Sequence, residues 1–267
     1  MEFIVTTGQF EKMIDNKIIG MPKLIDSKIN FRGKNNILVC DNNIELKNII
    51  LDFNGNNSIV YLASDLRDSF HLIVYNNSSV YMGRDVKVNS SVCMTIYESQ
   101  NLIIGDDCII GDEVYITTAD DYPIYESQSK KRINHSNSVY IGDHVWIGKR
   151  TIISSGVKIG SGAIICNASF IPPNFKIPSN VLACGDPAKI IKNEVFFIKD
   201  FTGPFKNEES FNSKDYKSSV FIYEMVDNET LSINDIEGIF NKLDVESRWE
   251  FIQKLFVQNK RKNRFYI

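Results

Sequence analysis

Three histidines, His71, His135 and His144, are the side chains of this 267-residue chain best matched to proton transfer at neutral pH. An imidazole can take the proton from a hydroxyl as that oxygen attacks an acyl group. His135 lies in the charged stretch TTADDYPIYESQSKKRINHSNSVY (117–140), which also holds Asp120 and Asp121. His144 stands two residues before Trp146. His71, in Phe70-His71-Leu72, reads as a packing residue. Five cysteines, Cys40, Cys93, Cys108, Cys166 and Cys184, are scattered, odd in number and form no CxxC pair. They are expected to be reduced, mostly buried thiols of a cytoplasmic protein, with no metal site and no disulfide framework.

The elements that position these groups follow from a repeat. From Ile141 an isoleucine recurs every six residues, at 141, 147, 153, 159, 165 and 171, and the same spacing joins Ile104, Ile110 and Ile116. Gly105, Gly111, Gly142, Gly148 and Gly160 each follow one of these isoleucines, and a small or β-branched residue sits four positions after seven of them. Helices repeat at 3.6 residues and strands alternate at two. A period of six fits a short strand plus a tight turn, with three units making one triangular coil and stacked coils burying an isoleucine column. The fold class is therefore an all-β solenoid.

The step from Ile116 to Ile141 is 25 residues, one more than four units. Residues 117–140 thus leave the repeat and return to it, which marks a projecting functional loop. Upstream, residues 30–100 carry Asn pairs such as Asn35-Asn36 and Asn76-Asn77 between apolar runs, and the chain has 27 asparagines. Asn tolerates left-handed backbone, so these pairs predict the corners of looser first coils. Residues 1–29 are expected to cap the open end, 30–195 to form the solenoid, and 196–267 to form a linker and a helical extension. The polar stretch 202–230 reads as a flexible linker. Two helices are expected within 232–262, the second capped by Asp244 with Trp249, Ile252, Leu255 and Phe256 on one face.

Composition bounds the function. A net charge of −3, with 43% hydrophobic and 24% charged residues, gives no reason to expect nucleic-acid binding. No apolar run reaches the roughly 18 residues of a membrane span. The start, Met1-Glu2-Phe3, lacks the pattern of a secretory signal. The basic finish, Lys260, Arg261, Lys262 and Arg264, is open to two readings: a charge cluster at a helix end, or a peripheral contact with a polyanion or membrane surface.

The hexads, the segments IGDHVWIG (141–148), GVKIGSGAII (156–165) and GDPAKIIK (185–192), and the placement of the loop resemble the left-handed β-helix acyltransferases. The long Asn-rich prefix is similar to that of bacterial capsule and polysialic acid O-acetyltransferases. The resemblance implies a left-handed coil, a homotrimer, and acetyl-CoA lying between neighbouring solenoids. It also implies a loop histidine that acts as general base while the acceptor hydroxyl attacks the thioester directly. The family writes this loop Asp-x-His-Pro-Ile-Tyr, whereas this chain has Asp120-Asp121-Tyr122-Pro123-Ile124-Tyr125, so Tyr122 stands where the histidine is expected. A phenol ordinarily titrates near about 10 and is a poor base at neutral pH.

The candidate catalytic residues are accordingly Tyr122, His135, His144 and Trp146, with Asp120, Asp121 and Tyr125 as acceptor-loop residues. By the same resemblance Trp146, Lys149, Asn167, Lys189 and Lys192 fall at donor-binding positions, Asn167 replacing the family's alanine. The leading reading is an acetyl-CoA-dependent O-acetyltransferase acting on a sugar hydroxyl of a bacterial surface polysaccharide or its precursor. The alternatives are N-acetylation of an amino sugar and a degenerate relative with a binding or scaffolding role.

Overall fold

In the computed structural model, every residue except 5, 7, 8, 11, 12, 67, 68 and 241 is described. The hexad period closes into three-sided coils, and the isoleucines stack as parallel-strand partners. Ile104, Ile141, Ile159 and Ile177 form one column, Ile110, Ile147 and Ile165 a second, and Ile116, Ile153 and Ile171 a third. None of the ten is more than 1% exposed. Burying such a side chain is worth about 1.5–3 kcal/mol, so the column is the main stabilising element of these coils. Within the regular coils the residue four places after the isoleucine, for example Val145, Thr151 or Val157, is buried as well.

Each side of the coil is a sheet. The first face contains eight strands: Glu2–Ile4 runs antiparallel to Lys28–Phe31, and the rest continue in parallel through Ile49–Phe53, Phe70–Val74, Val92–Ile96, Tyr115–Thr117, Ile152–Ile153 and Phe170–Ile171. The second face runs from Lys17–Ile19 to Lys176–Ile177 through Ile37–Cys40, Ile59–Leu62, Ser79–Met82, Asn101–Ile104, Val139–Ile141 and Lys158–Ile159. The third begins at Lys87–Val88 and includes Ile109–Ile110, Trp146–Ile147 and Ile164–Ile165. It ends in the antiparallel hairpin Leu182–Gly185/Ala188–Lys192, built by the GDPAKIIK segment. Asn35, Asn57 and Asn77 occupy corners with φ of 56°, 57° and 54°, the left-handed conformation that selected asparagine there.

Parallel pairing starts earlier than the isoleucine register suggests. Lys17–Ile19 already pairs with Ile37–Val39, and Lys23–Ile25 with Glu45–Lys47, so within residues 1–29 only Glu2–Ile4 caps the stack by antiparallel pairing. These strands are three residues long, too short to show a period in sequence.

Three helices follow the solenoid: α1 (Asn207–Asn212), α2 (Ile233–Phe240) and α3 (Val245–Ile252), the last continued by a π-helical turn at Gln253–Val257. Asp244 caps α3 by accepting from Ser247 N at 2.8 Å. Ile236, Phe240, Val245, Ile252, Phe256 and Phe265 pack on the outer side of the second face, against Val39, Tyr61, Tyr81, Ile103 and Tyr140. The extension is therefore a second core rather than an appendage. The stretch expected as a flexible linker is tied down as well: Asn180 donates to Phe221 O at 2.9 Å and accepts from Tyr223 N at 2.7 Å.

Two further expectations are corrected. Cys166 and Cys184 lie one coil apart, 18 residues in sequence, with Cα atoms 4.9 Å apart, and are joined as a disulfide, while Cys40, Cys93 and Cys108 are free. Stacking made neighbours of cysteines that sequence separation had kept apart. Arg264, expected among surface charges, is 2% exposed. It clamps Asp143 through Nε (2.8 Å) and Nη2 (2.7 Å), reaches Asp106 at 3.1 Å, and donates to the carbonyls of Phe256 and Asn259, both at 2.6 Å. Lys260 lies 3.9 Å from Asp106, Lys262 donates to Ser219 O at 3.1 Å, and Arg261 donates to Asn228 O. Arg264 and Lys260 thus face carboxylates of the solenoid, while Arg261 and Lys262 bond within the C-terminal extension.

Candidate active site

The loop leaves the first face after Tyr115–Thr117 and re-enters on the second face at Val139–Ile141. The two strands are consecutive sides of one coil, so the insertion costs no coil pairing: Ile104 pairs directly with Ile141. The loop folds as an irregular hairpin, with Ile133 N donating to Ile124 O and Glu126 N to Lys131 O, each at 2.9 Å. Asn134 organises its base by donating to Asp120 (2.8 Å) and Tyr122 O (2.9 Å) and accepting from Ile124 N (2.6 Å).

Two acidic side chains take part in fastening this unit to the preceding coil. Arg132 grips Glu98 in a fork, at 2.8 and 3.0 Å, and Tyr97 donates its hydroxyl to Asp121 at 2.9 Å. The Arg132 hydrogen bonds hold the Glu98 carboxyl below its ordinary range. Partial burial, and then the Asp121 carboxylate, push the Tyr97 phenol up, which keeps it a donor. The result is a fixed platform that leaves Tyr122 79% exposed, with Ile124 and Tyr125 also exposed beside it. A cleft of about 480 Å³ at its base is lined by Tyr115, Thr117, Ala119, Asp120, Asp121, Tyr122 and Ile124. His135 is exposed on the same loop.

His144 is different. It is 1% exposed and stacked between Phe197 and Phe221 at ring centroid distances of 4.1 and 4.0 Å. Both ring nitrogens are engaged, Nδ1 with Asp107 at 2.5 Å and Nε2 with Phe197 O at 3.0 Å. An imidazole with no open face and no free nitrogen cannot serve an incoming hydroxyl, so His144 is withdrawn as a catalytic candidate. It fastens the 196–224 arm instead. The signal was the arm's own Phe196-Phe197 pair, whose partner is invisible in sequence.

Trp146 is 42% exposed on the third face, one side against Phe197 at 5.7 Å. Around the next corner Lys149 pairs with Asp112 at 2.7 Å and Arg150 with Glu113 at 2.8 Å. Asn167 accepts from Lys149 N at 2.8 Å, so its side chain braces this corner. Asp112, Glu113, Lys149, Arg150 and Asn167, with Ser90, Ser91 and Ala168, line an open cleft of about 550 Å³. Lys189 and Lys192 are exposed on the terminal hairpin, opposite Cys184 and Leu182. Within one chain the donor-position residues share the third face and its corner, while Asp120, Asp121, Tyr122 and His135 gather at the loop; the two clefts are separate. Among the described residues, no cluster of three His, Cys, Asp or Glu could hold a metal, and no helix is long and apolar enough to cross a membrane.

Three-sided coils, the isoleucine columns and a loop inserted within one coil define a hexapeptide-repeat β-solenoid, and residues 138–173 match the family described as "Bacterial transferase hexapeptide (six repeats)". The resemblance to hexapeptide-repeat acyltransferases of the polysialic acid O-acetyltransferase kind holds. The chain is 30% identical over 128 residues to the polysialic acid O-acetyltransferase of Escherichia coli O1:K1 / APEC, covering 48% of this chain and 41% of that protein. It is 31% identical over 125 residues to the enzyme of the same name from Neisseria meningitidis, covering 46% and 58%. The chain thus spans about half the length of the curated relatives it matches. In three dimensions it is similar to the polySia-specific acetyltransferase NeuO, with a TM-score of 0.64 and 28% identity over 75% of this chain and 94% of that one.

Proposed function

We propose that this chain is an acetyltransferase that moves acetyl from acetyl-CoA to a sugar hydroxyl of a bacterial surface polysaccharide or its precursor. The observation that carries the reading is the anchored loop, which holds Asp120, Asp121 and Tyr122 on a fixed platform at the mouth of a cleft on a hexapeptide-repeat solenoid. Likeness to NeuO over three quarters of the chain supports the same class of reaction.

In this reading the acceptor hydroxyl attacks the thioester carbonyl, the C–O bond forms as the C–S bond breaks, and coenzyme A leaves as the thiol. Trp146, Lys149 and Asn167 bind the donor, while Lys189 and Lys192 pair with its phosphates. Asp120 and Asp121 orient the acceptor, with Tyr122 and Tyr125 beside it. His135, the exposed imidazole of the loop, takes the hydroxyl proton. Because loop and donor residues lie in separate clefts of one chain, the working site is assembled in a homotrimer, loop of one copy against groove of the next. A cytoplasmic reaction is the reading that acetyl-CoA as donor supports. Catalysis rests chiefly on holding the two substrates together, an effect that survives a weak base.

Calorimetric titration with acetyl-CoA, with coenzyme A as control, tests the donor site without a guess at the acceptor. Binding in the micromolar range is the expected result. Absence of binding at millimolar acetyl-CoA would sink the transferase reading.

A further inference from the structure

The corner from which the loop emerges continues upstream as a ridge that the transfer step does not use. Successive coils present Asn35, Asn57 and Asn77 along it, joined amide to amide at 2.9 and 3.3 Å. Tyr75, two residues before Asn77, and Tyr97, one coil further toward the loop, stack with ring centroids 5.0 Å apart and planes within 19°. Both tyrosines are half-buried, so part of each side chain is open to solvent. The Tyr97 hydroxyl bonds to Asp121, which puts this aromatic pair next to the residue presented by the loop, Tyr122. The ridge segments Asn54-Gly55-Asn56-Asn57-Ser58 and Tyr75-Asn76-Asn77-Ser78 contain no charged side chain.

Aromatic faces bordered by amides have the chemistry of sugar recognition. The C–H face of a pyranose lies on the ring, and its hydroxyls exchange hydrogen bonds with amide donors and acceptors. Parallel coils repeat at about 4.8 Å, so the ridge offers like contacts at regular steps to a linear chain. A lone sugar would need none of this length.

We propose that Tyr75 and Tyr97, with Asn57 and Asn77 beyond them, form an acceptor subsite that binds sugar residues of a linear polysaccharide outside the one that reacts. The proposal rests on the acetyltransferase reading for the identity of the reacting end, but its test does not.

The full-length protein, without acetyl-CoA, is titrated calorimetrically with α2,8-linked oligosialic acid and with β-linked galactose oligomers, each as the disaccharide and as a chain several times longer. The longer chain of at least one series is expected to bind more tightly than its disaccharide. Tyr75→Ala and Tyr97→Ala should each weaken that binding about three- to tenfold, while Tyr75→Phe and Tyr97→Phe, which keep the ring, retain it. Should an alanine variant fail to fold, Tyr75→Leu fills the same corner without an aromatic face and takes its place. The subsite is overturned if neither series binds, if the alanine variants bind as the wild type does, or if phenylalanine is as damaging as alanine. Loss of acetyl transfer with ring-dependent binding retained would remove the transferase reading alone.

Discussion

The first and second faces of this solenoid are built from the same coils and answer to opposite demands. On the second face Ile37–Cys40, Ile59–Leu62 and Ser79–Met82 are buried at every residue, because the core lies on one side and the C-terminal helices on the other. On the first face Ile49–Phe53 and Phe70–Val74 alternate between buried and partly exposed residues. A parallel strand covered on both sides reads as a continuous apolar run, and one covered on one side alternates. The lesson is functional as well as structural. Helices close the second face, while the first face and its two corners, with the loop and the donor-position cleft, stay open to ligands.

The contrast can be broken most severely at the seal. Arg264→Ala leaves Asp143 buried without its partner, and a loss of about 3–5 kcal/mol in unfolding free energy is expected, read by urea denaturation. Replacing Arg264 by methionine together with Asp143→Leu should recover most of that loss; a loss equal to the single variant's would mean the ion pair is not what joins the chain end to the coils. Tyr81, fully buried between the sheet and Phe256 at 5.1 Å, should cost about 3–5 kcal/mol on truncation to alanine. His71, in the equivalent position of the open face and paired with Asp52 at 2.7 Å, should cost about 1 kcal/mol or less. Equal costs for the two would erase the distinction between the faces.

Activity sharpens it from the other side. Tyr122→His places a second imidazole on the loop, at the tip of the platform, and should raise acetyl transfer by about 10²-fold, read as kcat with acetyl-CoA saturating. An unchanged rate would place the proton acceptor elsewhere, and His135→Ala then identifies it.

The smallest effect expected is on the pH profile of the arm. Burial raises the Asp107 carboxyl, but hydrogen bonds from His144 and Lys199 outweigh it, so the folded-state pKa lies below the ordinary carboxylate value. A depressed carboxylate contributes stability above the unfolded value of about 3.9 and loses it as pH falls through the folded one. Stability of the wild type should therefore decline below about pH 4, and Asp107→Asn should flatten that decline. An identical acid limb in the variant would show that Asp107 does not hold the arm.

Much of the fold is legible in the sequence because its causes are local. A hexad of strand, corner and inward isoleucine lies within six residues, so Ile104 to Ile171 could be read in register, as could the Asn corners and the Asp244 cap. The loop was legible as the one break in that register. The continuous apolar runs at 37–40 and 59–62 also announced a face covered on both sides, a signal that hexad counting passed over. The disulfide was open to the same reading, since Cys166 and Cys184 are one coil apart.

What sequence could not supply are the partnerships set by distance along the chain. Arg264 meets Asp143 across 121 residues, and the His144 ring meets Phe197 O across 53. Both decisions changed the functional reading, one removing a surface charge and the other a candidate base. By itself the sequence determined the period, the corners, the position of the loop and the residues it carries. Only the tertiary structure decided which side of the solenoid is sealed and which side chains remain free to react, because burial depends on the segment that returns to cover a strand, and no local pattern records where that segment lands.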